Sequence, residues 1–131
     1  MLNIQIKTIP DKDQRYDTVG DYWKKGDKDE IRVSEMGNRQ YEFFVAIHEM
    51  IEQFLCENKG ITDEEITKFD LEYEEKRKVG DASEPGGNMY APYHKEHMFA
   101  EKIEKLMAEE SKIDWEKYNH YVNKFYEKRL G

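Results

Sequence analysis

The chain has little cysteine, no long hydrophobic run and fewer basic than acidic residues. Only one of its 131 residues is a cysteine, Cys56, so no internal disulfide can form, and this fits a reducing compartment. No segment approaches the roughly 18 to 20 apolar residues that a membrane-spanning helix needs, and the first residues do not begin a signal peptide. We therefore expect a cytoplasmic protein without a membrane partner.

The shortage of positive charge excludes a further class of partner. Lysine and arginine number 21 against 29 aspartates and glutamates, which gives a formal net charge of −8. Nucleic-acid binding needs a basic stripe that neutralises phosphates, so we expect no nucleic-acid partner. An acidic surface still suits a basic protein partner. The length predicts one domain over residues 1–131, and the sequence leaves the oligomeric state open.

The pattern of apolar residues predicts an α+β fold with a small N-terminal antiparallel sheet followed by about four helices. Alternation around Leu2–Ile6 predicts one strand, and residues 18–24 and 30–34 predict two more. Asn38 is suited to cap a helix that runs to about Asn58, with Gly60 as its stop. Further helices are expected over residues 62–79, 92–110 and 115–129, and the segment 80–92 between two of them is expected to be a loop.

The most informative segment is His48-Glu49-Met50-Ile51-Glu52, which interrupts an apolar helix over residues 43–56. A buried imidazole or carboxylate is costly unless it is paired or bound to a metal. His48 and Glu52 are four residues apart and share one helical face, the spacing that lets two side chains hold one ion. Glu49 lies about 100° around the helix, where it can reach a metal-bound water instead. A buried hydrogen bond between His48 and Glu52 without any metal is the alternative.

A second cluster follows in the helix that begins near Pro92. His94 and His97 are three residues apart, and Glu101 is four beyond His97, so the three share roughly one face. Imidazole with carboxylate is a suitable ligand set for zinc, and also for manganese or iron. Two such clusters on separate helices predict one shared divalent transition-metal site, with zinc expected first.

Several stretches of the sequence resemble a family of small uncharacterised phage and bacterial proteins that are zincin-like. The stretches are residues 18–23, 31–38, 41–43, 46–52, 69–70 and 91–100, and the similarity extends over roughly residues 18 to 107. The pairing of H-E-x-x-E with A-P-Y-H-x-x-H is its most specific part. The resemblance implies a zincin-like metalloprotein, in the host cytoplasm if phage-encoded, and supplies no activity. A glutamate, Glu52, stands where the zincin motif H-E-x-x-H has its second histidine.

The expected chemistry follows from these residues. His48, Glu52 and an imidazole from His97 or His94 make a three-ligand set with a position for water, and Glu49 is the expected general base. If both imidazoles of the second cluster bind, the site is closed and structural. Glu101 and Asp70 are candidates for orienting imidazole N–H groups from behind the ligands.

Three function classes remain open from the sequence. The first is a metal-dependent hydrolase, most plausibly peptidase-like, with a peptide or protein substrate that could join the sheet edge as an extra strand. The second is a metal-stabilised phage protein without catalysis that binds a host protein. The third is an all-helical di-metal carboxylate protein that uses both clusters, although the predicted strands do not suit such a bundle.

Overall fold

The structure, a computed structural model, describes residues 1–78 and 80–130, with side chains given through Phe125. A three-stranded sheet comes first and four helices follow, so the predicted α+β class and layout are confirmed. Short 3-10 turns lie at Asp11–Asp13 and Pro85–Gly87. The main elements are β1 (Ile4–Ile9), β2 (Gly20–Lys25), β3 (Lys28–Ser34), α1 (Arg39–Asn58), α2 (Asp63–Glu75), α3 (His94–Glu110) and α4 (Trp115–Leu130).

The sheet is mixed, which corrects the expectation of a wholly antiparallel one. Its strand order is β1-β3-β2, with β2 antiparallel to β3 and β1 parallel to β3. The connection over residues 10–19 crosses the end of β3, where Ser34 Oγ donates a hydrogen bond of 2.6 Å to Asp11. Gly26 begins the two-residue turn between β2 and β3 with a φ of 65°, a conformation that glycine adopts without strain.

The ends of α1 and the start of α2 lie where the capping residues predict them. The Asn38 side chain accepts a hydrogen bond from the backbone N–H of Tyr41, and Gly60 has a φ of 76° just beyond the helix. Thr62 caps α2 through the N–H of Glu65. That helix ends at Glu75 rather than near Val79, and Val79 lies outside the described residues. The third helix begins at His94, two residues after the expected Pro92.

The core places α1 against both the sheet and α3. Ile31 and Val33 of β3 and Phe44 of α1 are almost wholly buried, and Tyr118 of α4 packs edge-on against Phe44. The ion pair between Lys59 and Glu96 joins the end of α1 to the start of α3. Within the described part of the chain, no helix combines the length and apolar character that crossing a membrane requires.

Candidate metal centre

His48, Glu52 and His97 bring three ligand atoms together between α1 and α3. His48 Nε2 lies 3.0 Å from Glu52 Oε2 and 3.1 Å from His97 Nδ1, and His97 Nδ1 lies 2.9 Å from the same Glu52 oxygen. All three residues are buried, with exposed fractions of 6%, 5% and 6%. We call these three residues the ligand triangle. Among the described residues, it is the group of histidine, cysteine and acidic side chains arranged to hold one metal ion.

Each imidazole of the ligand triangle is held from behind by a carboxylate. His48 Nδ1 lies 2.8 Å from Glu104 Oε1, and His97 Nε2 lies 3.0 Å from Glu84 Oε2. An ionised carboxylate only accepts hydrogen bonds, so these two ring nitrogens carry the protons. In the neutral rings, His48 Nε2 and His97 Nδ1 are therefore lone-pair nitrogens, and both face Glu52. Two lone-pair nitrogens and one carboxylate oxygen therefore face the same point, and such a set of acceptors favours a cation.

The Glu52 carboxylate is oriented by the sheet as well as by the imidazoles. The hydroxyl of Tyr22, in β2, donates a hydrogen bond of 2.9 Å to Glu52 Oε1, which leaves Oε2 to face the two rings. Burial raises the pKa of Glu52, but the hydrogen bonds from His48 and His97 outweigh it and lower the pKa to about 2. Glu52 is therefore ionised throughout the physiological range.

Without a metal, the ligand triangle meets its need for positive charge by binding protons. Burial lowers the pKa of His97, but its hydrogen bonds to Glu52 and Glu84 outweigh this and raise the pKa to about 10. Burial also lowers the pKa of His48, but its hydrogen bonds to Glu104 and Glu52 outweigh this, so the pKa of His48 is raised as well. Both rings can then be imidazolium ions, and a metal ion binding there must displace those protons.

Glu49 faces the same region from the next position of α1. A Cβ atom built on Gly20 would lie 2.6 Å from Glu49 Oε1, so the carboxylate packs directly on the backbone at the start of β2. Burial and the neighbouring negative charge of Glu52 raise the pKa of Glu49 well above its usual value. Among the side chains that the structure describes, Glu49 is not part of the ligand triangle.

Asp70 lies nearby but does not hold an imidazole. Its carboxylate accepts a hydrogen bond of 2.8 Å from the Tyr16 hydroxyl and another from the Tyr93 hydroxyl. Burial, reinforced by the charge of Glu52, raises the pKa of Asp70 to about 7 against those two hydrogen bonds. The position behind the imidazoles that we expected for Asp70 and Glu101 is filled by Glu84 and Glu104.

His94 and Glu101 are not brought to the ligand triangle. His94 Nδ1 lies 2.9 Å from the carbonyl oxygen of Gly86, so its N–H donates to the loop that precedes α3. Glu101 is partly buried, and its pKa is raised by burial and by the charge of Glu84. Of the alternatives left open by the sequence, the geometry brings His97 rather than His94 to His48 and Glu52. The strands also exclude the all-helical di-metal arrangement.

A small cavity adjoins the ligand triangle. It has room of about 60 Å³ for water-sized molecules, and one water needs roughly 10–15 Å³ by this measure, so it can hold several. His48, Glu52 and His97 are among its buried lining residues. Thr18, before β2, and Asp63 and Thr67 of α2 lie at its partly exposed side.

Sequence reasoning missed Glu84, Glu104 and Tyr22. Glu104 carried a usable signal, because it lies seven residues after His97 with Ala100 between them, which places all three on one helical face. Glu84 lies in a loop, and Tyr22 in a strand, so their proximity to the histidines depends on tertiary structure.

Comparisons with families of known proteins, with curated proteins and with solved structures gave no match.

Proposed function

We propose that this protein is a peptidase-like, metal-dependent hydrolase that holds one divalent transition-metal ion, with zinc as the first expectation, at the ligand triangle. The observation that supports the proposal is the convergence of His48 Nε2, Glu52 Oε2 and His97 Nδ1 within 2.9 to 3.1 Å of one another. The outer nitrogen of each imidazole and the second carboxylate oxygen of Glu52 already have hydrogen-bond partners. Three protein ligands are the number found in catalytic zinc sites, whereas structural sites use four.

The spacing of the ligand triangle fits an ion of this size. Ligand atoms about 2.0 to 2.2 Å from one tetrahedral zinc ion lie roughly 3.3 to 3.6 Å apart. The observed separations of 2.9 to 3.1 Å would therefore have to widen by roughly 0.2 to 0.7 Å when an ion binds. Two imidazoles and one carboxylate also suit manganese and iron, since Glu52 is a harder ligand than a third histidine.

In this proposal, three side chains hold the metal ion and a fourth, Glu49, transfers a proton. His48, Glu52 and His97 would hold the metal, which when bound lowers the pKa of a coordinated water toward about 7. Glu104 and Glu84 keep the outer ring protons in place and so aim the lone pairs inward. Glu49 accepts a proton from water and returns it to the leaving amine of a peptide.

The raised pKa of Glu49 suits that role. A general base works best when its pKa is near the operating pH, and burial beside Glu52 moves Glu49 upward from the ordinary range. The positive charge of a nearby metal ion would act in the opposite direction and lower that pKa. Glu49 would therefore be able both to accept and to release a proton during turnover.

A substrate that adds to the sheet edge would have to displace existing contacts. The backbone N–H groups of Gly20, Tyr22 and Lys24 in β2 donate to the side chains of Thr18, Asp21 and Asp63. These side chains mimic a paired strand, which keeps the edge from associating with other chains. A peptide substrate therefore either replaces these contacts or reaches the site through the cavity.

The proposal is tested by metal analysis together with two substitutions in α1. We expect about one metal ion per chain, and we expect His48→Ala to abolish binding and lower the melting temperature, because binding energy at such a site is also folding energy. Glu49→Gln should keep the metal and reduce turnover by roughly 10²-fold or more. Glu57→Gln, an exposed carboxylate of the same helix, is the matched control and should change neither.

Two results would contradict the proposal in different ways. Protein purified without chelator that contains no zinc, manganese, iron, cobalt or nickel would contradict the metal site itself. Fully metallated protein that cleaves no peptide, ester or amide would favour the second class from the sequence, a metal-stabilised protein that binds a host partner. Loss of the metal in Glu49→Gln would make Glu49 a ligand rather than a base.

A further inference from the structure

The cavity beside the ligand triangle is lined by many more acidic than basic side chains. Among its described lining residues there is no lysine and no arginine, and the only potentially cationic side chains are His48 and His97. Eight carboxylates line the same space: Asp17, Asp21, Glu49, Glu52, Asp63, Asp70, Glu84 and Glu104.

A divalent ion at the ligand triangle would not balance this charge. Glu52, Glu84 and Glu104 alone carry three negative charges against two on the ion. The Asp21 carboxylate pairs with the guanidinium of Arg15, which is not part of the cavity lining. Arg15 Nε lies 2.6 Å from Asp21 Oδ2, and Arg15 Nη2 lies 3.0 Å from Asp21 Oδ1. Further negative charge comes from the remaining carboxylates of the cavity lining.

Two of those remaining carboxylates, Asp63 and Asp70, have neutral hydrogen-bond donors. Asp70 accepts from the hydroxyls of Tyr16 and Tyr93, and Asp63 accepts from the backbone N–H of Lys24. Neutral donors bring no positive charge, and burial together with the charges of Glu52 and Asp21 raises the pKa of Asp70 to about 7, so its ionised form lacks a compensating cation. The field inside the cavity therefore favours an incoming cation and opposes an incoming anion.

The acidic groups also lie on the way in. Asp17 is exposed and Asp63 is partly exposed, whereas His48, Glu52 and His97 are buried. A ligand that approaches the ligand triangle through this cavity passes the carboxylates of the loop before β2 and of α2 first. The volume of about 60 Å³ has room for a group of about four to six non-hydrogen atoms, taking roughly 10–15 Å³ for each water-sized unit.

We propose that this cavity binds a positively charged head group of the substrate, an ammonium or guanidinium, next to the bond that is cleaved. This inference rests on the proposed hydrolase function and names its substrate class: peptides that carry positive charge beside the scissile bond. A free amino terminus and a lysine or arginine side chain both present that chemistry. Phosphate esters and peptides with acidic residues at this position are disfavoured by the same charges.

The first experiment measures binding and does not need turnover. The probes are N-butylguanidinium, which stays protonated and so cannot act as a metal ligand, and its neutral isostere N-butylurea. Calorimetric titration of the zinc-loaded protein should show N-butylguanidinium binding at least about tenfold more tightly than N-butylurea. Equal affinity for the guanidinium and the urea, or tighter binding of the urea, would overturn the proposal.

Charge-removing variants locate the effect. Asp63→Asn combined with Asp70→Asn keeps the size of both side chains and should reduce the preference for guanidinium over urea by about threefold or more. Glu64→Gln, an exposed neighbour of Asp63 outside the cavity lining, should leave the preference unchanged. An equal loss in both variants would show a general surface effect and overturn the assignment to the cavity. If the double variant does not fold, the comparison of probes on the wild-type protein still decides.

The second experiment identifies the source of the charge. Matched peptides carry lysine, norleucine or glutamate beside the scissile bond, each with a free or an acetylated amino terminus. Faster cleavage of every free-amino peptide would assign the charge to the terminus, and faster cleavage of lysine peptides would assign it to a side chain. Cleavage rates that depend on neither charge would overturn the inference but would not contradict the proposed hydrolase function.

Failure of the hydrolase proposal can be separated from failure of this inference. If no peptide is cleaved, the hydrolase is contradicted, and the guanidinium titration still decides whether the cavity selects cations. A metal stoichiometry of two per chain, with the second ion lost in Asp63→Asn/Asp70→Asn, would overturn the inference by showing that the carboxylates hold metal.

Discussion

Glu84 and Glu104 determine which nitrogen of each imidazole faces the ligand triangle. Each accepts a hydrogen bond from the outer ring nitrogen of one histidine, so His97 presents Nδ1 and His48 presents Nε2. Glu104 is fixed in turn by the hydroxyl of Tyr118. This chain of contacts orients the ligands before any ion arrives and makes them stronger bases.

Replacing Glu104 with glutamine should therefore weaken metal binding. The amide lacks the negative charge, and its NH₂ group can approach His48 Nδ1 and favour the wrong tautomer. We expect zinc affinity to fall by roughly 10- to 100-fold, measured by competition with a chromophoric chelator. Glu109→Gln changes an exposed carboxylate of the same helix and should have no effect. Unchanged affinity in Glu104→Gln would mean that Glu104 does not orient the ligand.

The sequence predicted the residues of the ligand triangle better than the residues that support them. The i, i+4 spacing of His48 and Glu52 identified two members, and His97 was one of two alternatives for the third. His94 could not be set aside, because only the path of the loop brings the Gly86 carbonyl to its ring. Glu84 was missed because a loop carboxylate has no periodicity that would indicate burial.

At the scale of elements, the loop between α2 and α3 closes one side of the site. Gly86 lies against the His97 ring so closely that an added Cβ atom would be 2.4 Å from Cγ and from Nδ1. Glu84, two residues earlier, holds the far nitrogen of the same ring. The loop therefore fixes both the tilt and the position of His97, and glycine is required because nothing larger fits.

Adding one methyl group at Gly86 should displace the His97 ring. Gly86→Ala is expected to lower metal affinity by about tenfold or more and to reduce turnover in proportion, since a ligand atom must shift. Gly87→Ala is a matched control, because a Cβ atom there meets nothing within 4 Å. Both variants are compared by metal titration and thermal unfolding. Equal behaviour of the two would contradict the close packing of the loop on His97.

The helices and their caps were more predictable than the pairing of the strands. Asn38 and Thr62 act through neighbouring backbone N–H groups, so local sequence suffices to place them. The parallel pairing of β1 with β3 depends on how residues 10–19 cross the end of the sheet. Contacts such as that of Gln14 with Ser34 join residues distant in sequence, and alternation of apolar residues carries no information about them.

At the scale of the whole molecule, stability depends on how the buried charges are balanced. In the metal-free protein, His97 has a pKa of about 10 against an ordinary 6.5, so its contribution is complete below about pH 6.5 and is lost as the pH rises through 10. Glu52 has a pKa of about 2 against an ordinary 4.5, so its contribution is complete above about pH 4.5 and is lost as the pH falls through 2.

From Glu52 and His97 alone, the metal-free protein should be most stable between about pH 4.5 and 6.5. Asp70, with a pKa of about 7 against an ordinary 3.8, loses its contribution as the pH rises from about 3.8 to 7, so it shifts the maximum toward the acidic end of that window. We expect the melting temperature at pH 10 to lie at least about 5 °C below that at pH 5.5. A flat profile from pH 5.5 to 10 in chelator-treated protein would contradict the protonated state of the imidazoles.

Metal binding should release those protons. The pKa of His97 is raised to about 10, so at pH 7 its Nδ1 carries a proton, and uptake of one zinc ion should release at least about one proton. Calorimetry in buffers of different ionisation enthalpy measures that number. Release of no protons would show that the imidazoles were already neutral, and affinity should rise with pH if the account is correct.

X-ray absorption at the metal edge of the zinc-loaded protein tests the metal site most directly. We expect one zinc ion per chain with two imidazole ligands and additional oxygen ligands at about 2.0 to 2.2 Å. The imidazole signal should fall to one in His97→Ala protein that still binds zinc. A spectrum with no imidazole, a sulfur ligand from Cys56, or no bound metal in the folded wild-type protein would contradict this metal site.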